Sequence, residues 1–138
     1  MFVNRRVIRI EWGDCDPAGI VYFPRYVEHF DGCTAHLFEA ALGMNKHQML
    51  DSLGMAGFPM VDLNVRFMIP SVFGDDVTVE SGVESFGRSS FKVRHRLLRG
   101  EDLAVEALET RVWTAYDPAD PGKLKSVPVP DEVRAKLG

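Results

Sequence analysis

The order of hydrophobic and polar residues changes its period twice along the chain. Ile8, Ile10 and Trp12 alternate with charged residues, and a period of two predicts a strand with one buried face. From about Pro24 to Leu42, apolar residues recur at helical spacing, which predicts a long helix with one broad apolar face. After Pro59 the period returns to two. The chain is therefore predicted to fold as a strand, a long helix and a further run of strands.

Four strands are predicted in the second half of the chain. The residues that share a face in each are Val61, Leu63, Val65, Phe67 and Ile69; Val77, Val79, Ser81 and Val83; Phe91, Val93, His95 and Leu97; and Ala104, Glu106, Leu108, Thr110 and Val112. We expect Trp113 to break the last alternation at a bulge. The turns are short, so the strands must pair antiparallel, because a parallel connection needs a dozen or more residues. A weaker helix at 46–53, a surface excursion over 117–130 and a short polar C-terminal helix complete the prediction.

Length and composition limit the class of protein. A chain of 138 residues fits one domain, residues 1–138, here an α+β domain whose helix covers one face of a five-stranded antiparallel sheet. Its net charge of -4 provides no basic field, so no nucleic acid partner is expected. Cys15 and Cys33 are too few for a disulfide framework and, with the four histidines, lack zinc-ligand spacing, so no metal is expected. Without a membrane-spanning apolar stretch, we expect a cytoplasmic protein with no membrane partner.

The segment between the first strand and the long helix carries the most specific motif. Residues 13–26, with the sequence GDCDPAGIVYFPRY, resemble the signature of the 4-hydroxybenzoyl-CoA thioesterase family of hot-dog proteins. In the hot-dog fold, a five-stranded antiparallel sheet wraps a long central helix, two subunits pair their sheets edge to edge, and two active sites form at the dimer interface. The resemblance implies an acyl-CoA thioesterase, which hydrolyses a CoA thioester to a free carboxylic acid and CoA. Since CoA is part of the substrate, no separate cofactor is expected.

The resemblance also implies roles for single residues. Asp16 matches the catalytic aspartate of the family, and a carboxylate can attack the thioester or act as a base on water. The alternative is that Asp16 only stabilises a turn. The backbone N–H of Phe23 matches the donor that polarises the thioester carbonyl, and Pro24 has no N–H to compete with it. Arg88 and Ser90 match residues that contact the CoA nucleotide.

The residues around the helix start indicate the acyl group. Tyr22, Tyr26 and Phe58 offer an aromatic wall, which favours a benzoyl-type acyl group. Asp31 lies on the same helix among apolar neighbours, where it meets either a polar group of the acyl moiety or only solvent and a capping partner. A short-chain aliphatic thioesterase and a non-catalytic protein that binds acyl-CoA or an acyl carrier are alternatives. A hydratase is disfavoured, because the Asp16 loop has no histidine. Open sheet edges predict a homodimer at least, and we expect a tetramer.

Overall fold

The computed structural model describes residues 1–138. Its elements, in chain order, are β1 (Val3–Arg9), a 3-10 turn (Trp12–Asp14), α1 (Phe23–Leu42), α2 (Lys46–Ser52), β2 (Met60–Phe67), β3 (Asp76–Phe86), β4 (Ser90–Arg99), β5 (Asp102–Val112), β6 (Thr114–Asp117), β7 (Asp120–Ser126) and α3 (Asp131–Leu137). None of the helices is both long and apolar enough to cross a membrane. The predicted long helix and five-stranded antiparallel sheet are confirmed.

The helix α1 begins and ends where its sequence dictates. Pro24 stands in the first turn, where its missing N–H costs no hydrogen bond. At the other end, Gly43 adopts a left-handed conformation with φ of 71° and donates its N–H to the carbonyl of Glu39. Only glycine takes that conformation without a steric penalty, so the helix stops there. Its 20 residues make a rod about 30 Å long.

The sheet has the strand order β1-β3-β4-β5-β2, and every neighbouring pair is antiparallel. The three inner strands β3, β4 and β5 lie between the two edge strands β1 and β2. The strand β3 has 11 residues, which corresponds to roughly 35 Å at the usual rise per residue. Helix and strand therefore have similar lengths, and α1 alone can cover one face of the sheet.

The apolar core is divided into two clusters. One contains 13 buried residues, including Leu37, Phe38 and Trp113, and α3 closes it with Val133 and Leu137. The other contains 12 buried residues around the start of α1. A belt of four buried polar residues lies between the clusters, one from each of four neighbouring elements: Thr34 from α1, Ser81 from β3, His95 from β4 and Glu109 from β5.

The members of this polar belt are hydrogen-bonded to one another. Ser81 Oγ lies 2.7 Å from His95 Nδ1, and Thr34 Oγ1 lies 3.1 Å from His95 Nε2. The Thr34 hydroxyl donates to Glu109 Oε1. With the imidazole neutral and protonated on Nε2, every donor has one acceptor along the series Ser81, His95, Thr34 and Glu109. Because each polar group has a partner, the belt satisfies the rule that buried polar atoms must be paired.

Glu109 is the charged end of the belt. Burial by itself raises the pKa of a carboxyl group, but the adjacent His95 ring and the hydrogen bonds from Arg111 outweigh it and lower the pKa of Glu109 below its ordinary value. Arg111 Nε donates to Glu109 Oε1 at 2.8 Å, and its side chain is only 5% exposed. Glu109 and Arg111 therefore form a buried ion pair beside the centre of the core.

Two sequence predictions about the strands are wrong. The first strand ends at Arg9, and Trp12, expected on its buried face, opens the 3-10 turn and is 77% exposed. In β5 the buried face is formed by the odd-numbered residues from Val105 to Trp113, so Trp113 continues the alternation and does not break it. The bulge lies earlier, because Leu97 pairs with Val105 and Leu98 with Leu103.

The C-terminal part is more regular than the sequence indicated. The surface excursion expected over 117–130 contains the strand β7, which forms an antiparallel hairpin with β6, a strand that lies almost entirely before the excursion. Thr114 pairs with Ser126 and Tyr116 with Leu124. All seven residues of β7 are exposed, so the hairpin projects from the sheet and does not extend the core. The final helix occurs as predicted, but it buries two apolar side chains and is not simply polar.

Removing the buried charge of Glu109 should reduce both stability and its dependence on pH. Because the folded pKa lies below the unfolded value of about 4.3, the pair adds stability above that pH and loses it as the pH falls further. Glu109→Gln should cost about 3–5 kcal/mol at neutral pH, since the buried Arg111 then keeps only the largely exposed Asp31 carboxylate as a charged partner. It should also flatten the acid limb between about pH 5 and pH 3. Urea unfolding across that range measures both effects.

Glu84 provides a matched control for this prediction. Its pKa is also lowered, by a hydrogen bond from Arg94, but its side chain is 41% exposed. Glu84→Gln should cost less than about 1 kcal/mol, as expected for a solvated ion pair. Equal losses of unfolding free energy in the two variants would show that burial does not increase the contribution of Glu109 to stability.

Candidate active site

Asp16 begins a tight turn whose form follows from its sequence. The Gly19 N–H donates to the Asp16 carbonyl at 2.9 Å, and the Ala18 N–H donates to Asp16 Oδ1 at 2.8 Å. Aspartate, proline and glycine at the first, second and fourth positions are the preferred residues of a type I turn. Gly19 has a φ of 84°, which an L side chain adopts only at a cost. Asp16 is partly exposed, and its Oδ2 accepts no hydrogen bond within the chain.

Asp14 ties this loop to the elements on either side. Its Oδ2 accepts from the Glu11 N–H at 2.8 Å, and its carbonyl accepts from the Tyr22 N–H at 2.8 Å. The buried Nε2 of His29, in the second turn of α1, lies 3.4 Å from Asp14 Oδ1. Asp14 therefore fixes the distance between the end of β1 and the start of α1, the structural role that is usual for a buried aspartate.

The backbone N–H of Phe23 is free at the start of α1. It is one of the orphan donors of the first helical turn and has no acceptor within the chain. The preceding N–H, that of Tyr22, is already used by the Asp14 carbonyl. The positive end of the helix dipole adds to the attraction for developing negative charge. Together these features suit Phe23 to stabilise an oxyanion.

Two surface grooves flank the loop. A cleft of about 280 Å³ is lined by Trp12, Cys15, Asp16, Pro17, Gly19 and Phe73. A more apolar groove of about 310 Å³ is lined by Ile20, Val21, Phe23, Tyr26, Phe67, Met68, Ile69 and Pro70. The loop that carries Asp16 separates them. An ester lying across the loop would place a polar part near Asp16 and an apolar part against the start of α1.

The structure brings some of the predicted aromatic residues to this groove. Tyr26 is buried and packs on Phe67 with ring centroids 5.8 Å apart, and Tyr22 is half exposed and in edge contact with Phe23. Phe58 is only 3% exposed and lies in the larger apolar cluster against Phe38. It therefore lines neither groove of a single chain.

Asp31 has a partner that the sequence did not reveal. Arg111 Nη2 donates to Asp31 Oδ1 at 2.8 Å, although the Asp31 side chain is 65% exposed. On α1, Asp31 is eight residues beyond Phe23, about 12 Å along the helix axis. Within one chain Asp31 is thus displaced from the Asp16 loop by more than two helical turns.

Arg88 and Ser90 lie at the opposite end of the sheet from Asp16. The Asp16 loop adjoins the start of β3, where the Ile10 N–H donates to the Asp75 carbonyl, whereas Arg88 follows the end of β3. Arg134 donates to the carbonyls of Gly87 and Arg88 and holds this turn against α3. A single chain does not bring Arg88 and Asp16 together, because the length of β3 separates them.

The nucleophile alternatives have no support in the geometry. The Cys15 thiol donates only a weak hydrogen bond to the Glu11 carbonyl, at 3.7 Å. Burial raises the pKa of the Cys33 thiol, although Arg6 acts in the other direction, so Cys33 is a poor nucleophile. Neither cysteine is hydrogen-bonded to a histidine. Asp16 remains the candidate nucleophile or base.

Sequence reasoning missed Arg111, Glu109 and the contact between Asp14 and His29. Glu109 and Arg111 alternate with Leu108, Thr110 and Val112, and the sequence analysis grouped only the even-numbered residues of this strand on one face. Their spacing of two residues places both side chains on one face of the strand, which was the available signal. The contact of Asp14 with His29 joins residues 15 positions apart, and no local pattern indicates it.

A long helix packed on a five-stranded antiparallel sheet, with an aspartate loop before the helix, is the arrangement expected of a hot-dog thioesterase. The model of the thioesterase-like superfamily matches residues 10–137. The chain is 35% identical over 127 residues to the 4-hydroxybenzoyl-CoA thioesterase of Pseudomonas sp. (strain CBS-3), covering 88% of each. This chain therefore belongs to the thioesterase-like superfamily, and it is a thioester hydrolase.

Solved structures agree with this assignment. An aspartate-to-asparagine mutant of 4-hydroxybenzoyl-CoA thioesterase, in complex with 4-hydroxybenzoyl-CoA, superposes with a TM-score of 0.89 at 29% identity, covering 99% of each chain. A gentisyl-coenzyme A thioesterase has a TM-score of 0.81 at 29% identity, covering 95% of this chain and 99% of the other. The expected family and fold are confirmed.

Proposed function

We propose that the protein hydrolyses aromatic acyl-CoA thioesters and that Asp16 performs the chemistry. The observation that carries the role of Asp16 is the local geometry. The unpaired Oδ2 of Asp16 and the unpaired N–H of Phe23 stand at the two ends of one short loop, beside an apolar groove. A thioesterase needs these features together: a nucleophile or base, an oxyanion donor and an apolar seat for the acyl group.

Two routes are open to Asp16. As a nucleophile, Oδ2 attacks the thioester carbon, the C–S bond breaks with release of the CoA thiolate, and water then cleaves the mixed anhydride. As a general base, Asp16 takes a proton from a water molecule that attacks the same carbon. In both routes the carbonyl oxygen becomes negative in the transition state, and the Phe23 N–H donates to it. One such donor is typically worth about 2.7–4 kcal/mol.

The aromatic acyl group is supported by the relatives and by the groove. The similar proteins are named for the 4-hydroxybenzoyl and gentisyl groups, both of which contain an aromatic ring. The groove beside Phe23 has Tyr26 and Phe67 on its walls, and aromatic contacts gain about 0.5–1.5 kcal/mol beyond area burial. Asp31 then supplies the polar contact to a ring substituent.

A homodimer that pairs two β2 edges explains how distant residues share a site. In one chain, Asp31 and Arg111 lie near the Met60 end of β2. At the other end of β2, the ring centroids of Phe23 and Phe67 are 6.4 Å apart. Antiparallel pairing about a two-fold axis reverses the partner strand, so the partner's Asp31 approaches the groove beside Phe23. Edge strands are prone to such pairing, and β2 leaves Val61 and Phe67 more than half exposed.

The proposed contacts with the CoA nucleotide also need more than one subunit. Arg88 and Ser90 are expected to bind the CoA nucleotide of a substrate whose thioester lies at another subunit's Asp16, because one chain cannot supply both. Dimers of this kind can associate further into a tetramer. We place the protein in the cytoplasm, with no cofactor beyond the CoA of its substrate and no metal.

The central test is the replacement of Asp16 by asparagine, which keeps the size and the turn preference of the side chain. Turnover of 4-hydroxybenzoyl-CoA should fall by at least ~100-fold, in the range for loss of a general base. The release of free thiol measures it, and the melting temperature should stay close to that of wild type. Near-normal turnover in Asp16→Asn would end the assignment. A wild type that binds acyl-CoA without releasing thiol would instead support the non-catalytic alternative.

Substrate preference should follow the aromatic groove. Benzoyl-type CoA esters should have a kcat/KM at least about tenfold higher than palmitoyl-CoA, since one methylene of misfit already changes rates by ~10–200-fold. A panel of benzoyl, acetyl and palmitoyl esters measures this under one set of conditions. If acetyl-CoA is the best substrate, the short-chain alternative is correct and the aromatic proposal is wrong.

The subunit arrangement can be measured directly. Sedimentation velocity at micromolar concentration should give a species of at least twice 15.5 kDa, the mass of one chain. Association is expected because the exposed edge of β2 and the apolar start of α1 are otherwise left in water. A stable and fully active monomer would contradict both the dimer and any site shared between subunits.

A further inference from the structure

Arg111 is fixed more completely than its pairing with Glu109 requires. Its Nε donates to Glu109 Oε1, its Nη1 donates to the Phe58 carbonyl at 3.2 Å, and its Nη2 donates to both Glu109 Oε2 and Asp31 Oδ1. The guanidinium carbon lies 5.5 Å from the centroid of the Phe58 ring. Four of the five N–H donors are therefore used, and the planar group is held on several sides.

Glu109 is held equally firmly from the other direction. It accepts from the Thr34 hydroxyl, and His95 Nε2 lies 3.4 Å from its Oε1. The His95 ring stacks on Phe30 at a centroid distance of 5.0 Å. The position of Arg111 is therefore set by the buried polar belt, which involves α1, β3 and β4, and not by contacts at the surface.

Asp31 is not needed to neutralise Arg111. Glu109 already supplies one negative charge to the one positive charge, and Asp31 adds a second carboxylate that is 65% exposed. Exposed ion pairs contribute little to stability. The contact does have a geometric result, because it occupies Asp31 Oδ1 and leaves Oδ2 without a hydrogen bond in the chain. An ionised carboxylate only accepts hydrogen bonds, so Oδ2 is suited to a ligand group that donates one.

From this geometry we propose that Arg111, anchored by Glu109, is a positioning residue for substrate specificity: it holds Asp31 so that Oδ2 accepts a hydrogen bond from a hydroxyl group on the acyl ring. Arg111 itself touches no substrate. The inference rests on the proposed function, since it concerns how the aromatic acyl group is recognised. In this arrangement the orientation of Asp31 depends on Arg111, a residue in the core that no local sequence motif indicates.

The test compares two esters that differ by one hydroxyl group, 4-hydroxybenzoyl-CoA and benzoyl-CoA. In the wild type, kcat/KM should favour the hydroxylated ester. Arg111→Lys keeps a positive charge near Glu109 but loses the planar fork that reaches both carboxylates. The preference should fall by at least about tenfold, as expected for a hydrogen bond to a charged group, while benzoyl-CoA turnover is largely kept. A merely structural role would lower the rates of both esters alike.

Three further variants make the outcome decisive. If Arg111→Lys is unstable, the double variant Glu109→Gln/Arg111→Gln replaces it. This variant removes both buried charges together and leaves no unpaired charge in the core. Asp31→Asn should lose the same preference, and adding Arg111→Lys to it should cause little further loss, because residues acting through one contact are not additive. The control is Arg94→Gln, which removes an arginine that also bridges two carboxylates, Glu84 and Glu106, but on the outer face of the sheet. Its preference should equal that of the wild type.

The possible failures can be told apart. If the wild type hydrolyses neither ester, the proposed function fails and this inference fails with it. If the wild type hydrolyses both without preferring the hydroxylated one, only the inference about Arg111 is overturned. The same holds if the Arg111 variants keep the preference, or if the losses from Asp31→Asn and Arg111→Lys add in full.

Discussion

A single helix has to cover one entire face of a five-stranded sheet, and this constraint shapes the rest of the molecule. The helix α1 and the strand β3 have similar lengths, so the helix contacts the sheet from one end to the other. Both ends of the helix must then be closed by other elements. At the C-terminal end, α3 completes the larger apolar cluster, whereas at the N-terminal end the groove is lined by the Asp16 loop, the start of α1, the end of β2 and residues 68–70. The exposed groove beside Phe23 therefore lies at the end of α1 that no other helix closes.

The same constraint explains why the helix start is suited to chemistry. The chain must turn sharply between the end of β1 and the first residue of α1, and Asp16 to Gly19 makes that turn. Asp14 fixes the loop by accepting hydrogen bonds from Glu11 and from Tyr22. As a result the next N–H, that of Phe23, stays unpaired within a few residues of a carboxylate that also has a free oxygen. The nearness of the two groups along the chain is a consequence of this short connection and requires no long-range packing.

Local geometry is also what a sequence reveals best. The turn residues, the proline at the helix start and the glycine at its end all act within a few positions, so the loop and α1 were predicted nearly to the residue. The faces of β5 were not, because polar residues occur on both sides and alternation alone does not say which side is buried. The bulge between Leu97 and Leu98 adds a shift of register that depends on pairing with β4. The β6–β7 hairpin was missed because prolines and glycine within it resemble a loop.

The residues that the sequence failed to show have one property in common: their positions are set by partners that are distant along the chain. Thr34 and Glu109 are 75 residues apart, and Asp31 and Arg111 are 80 apart. A buried ion pair is costly to desolvate and is often no more stabilising than an apolar substitute. Stability alone is therefore a weak reason for an arginine at the centre of this core. The proposed positioning role gives another reason, because a guanidinium that is hydrogen-bonded on several sides can restrain the exposed Asp31 carboxylate. The reactive groups can thus be built from one loop, whereas fixing a second carboxylate on an exposed helix face requires four elements of the fold.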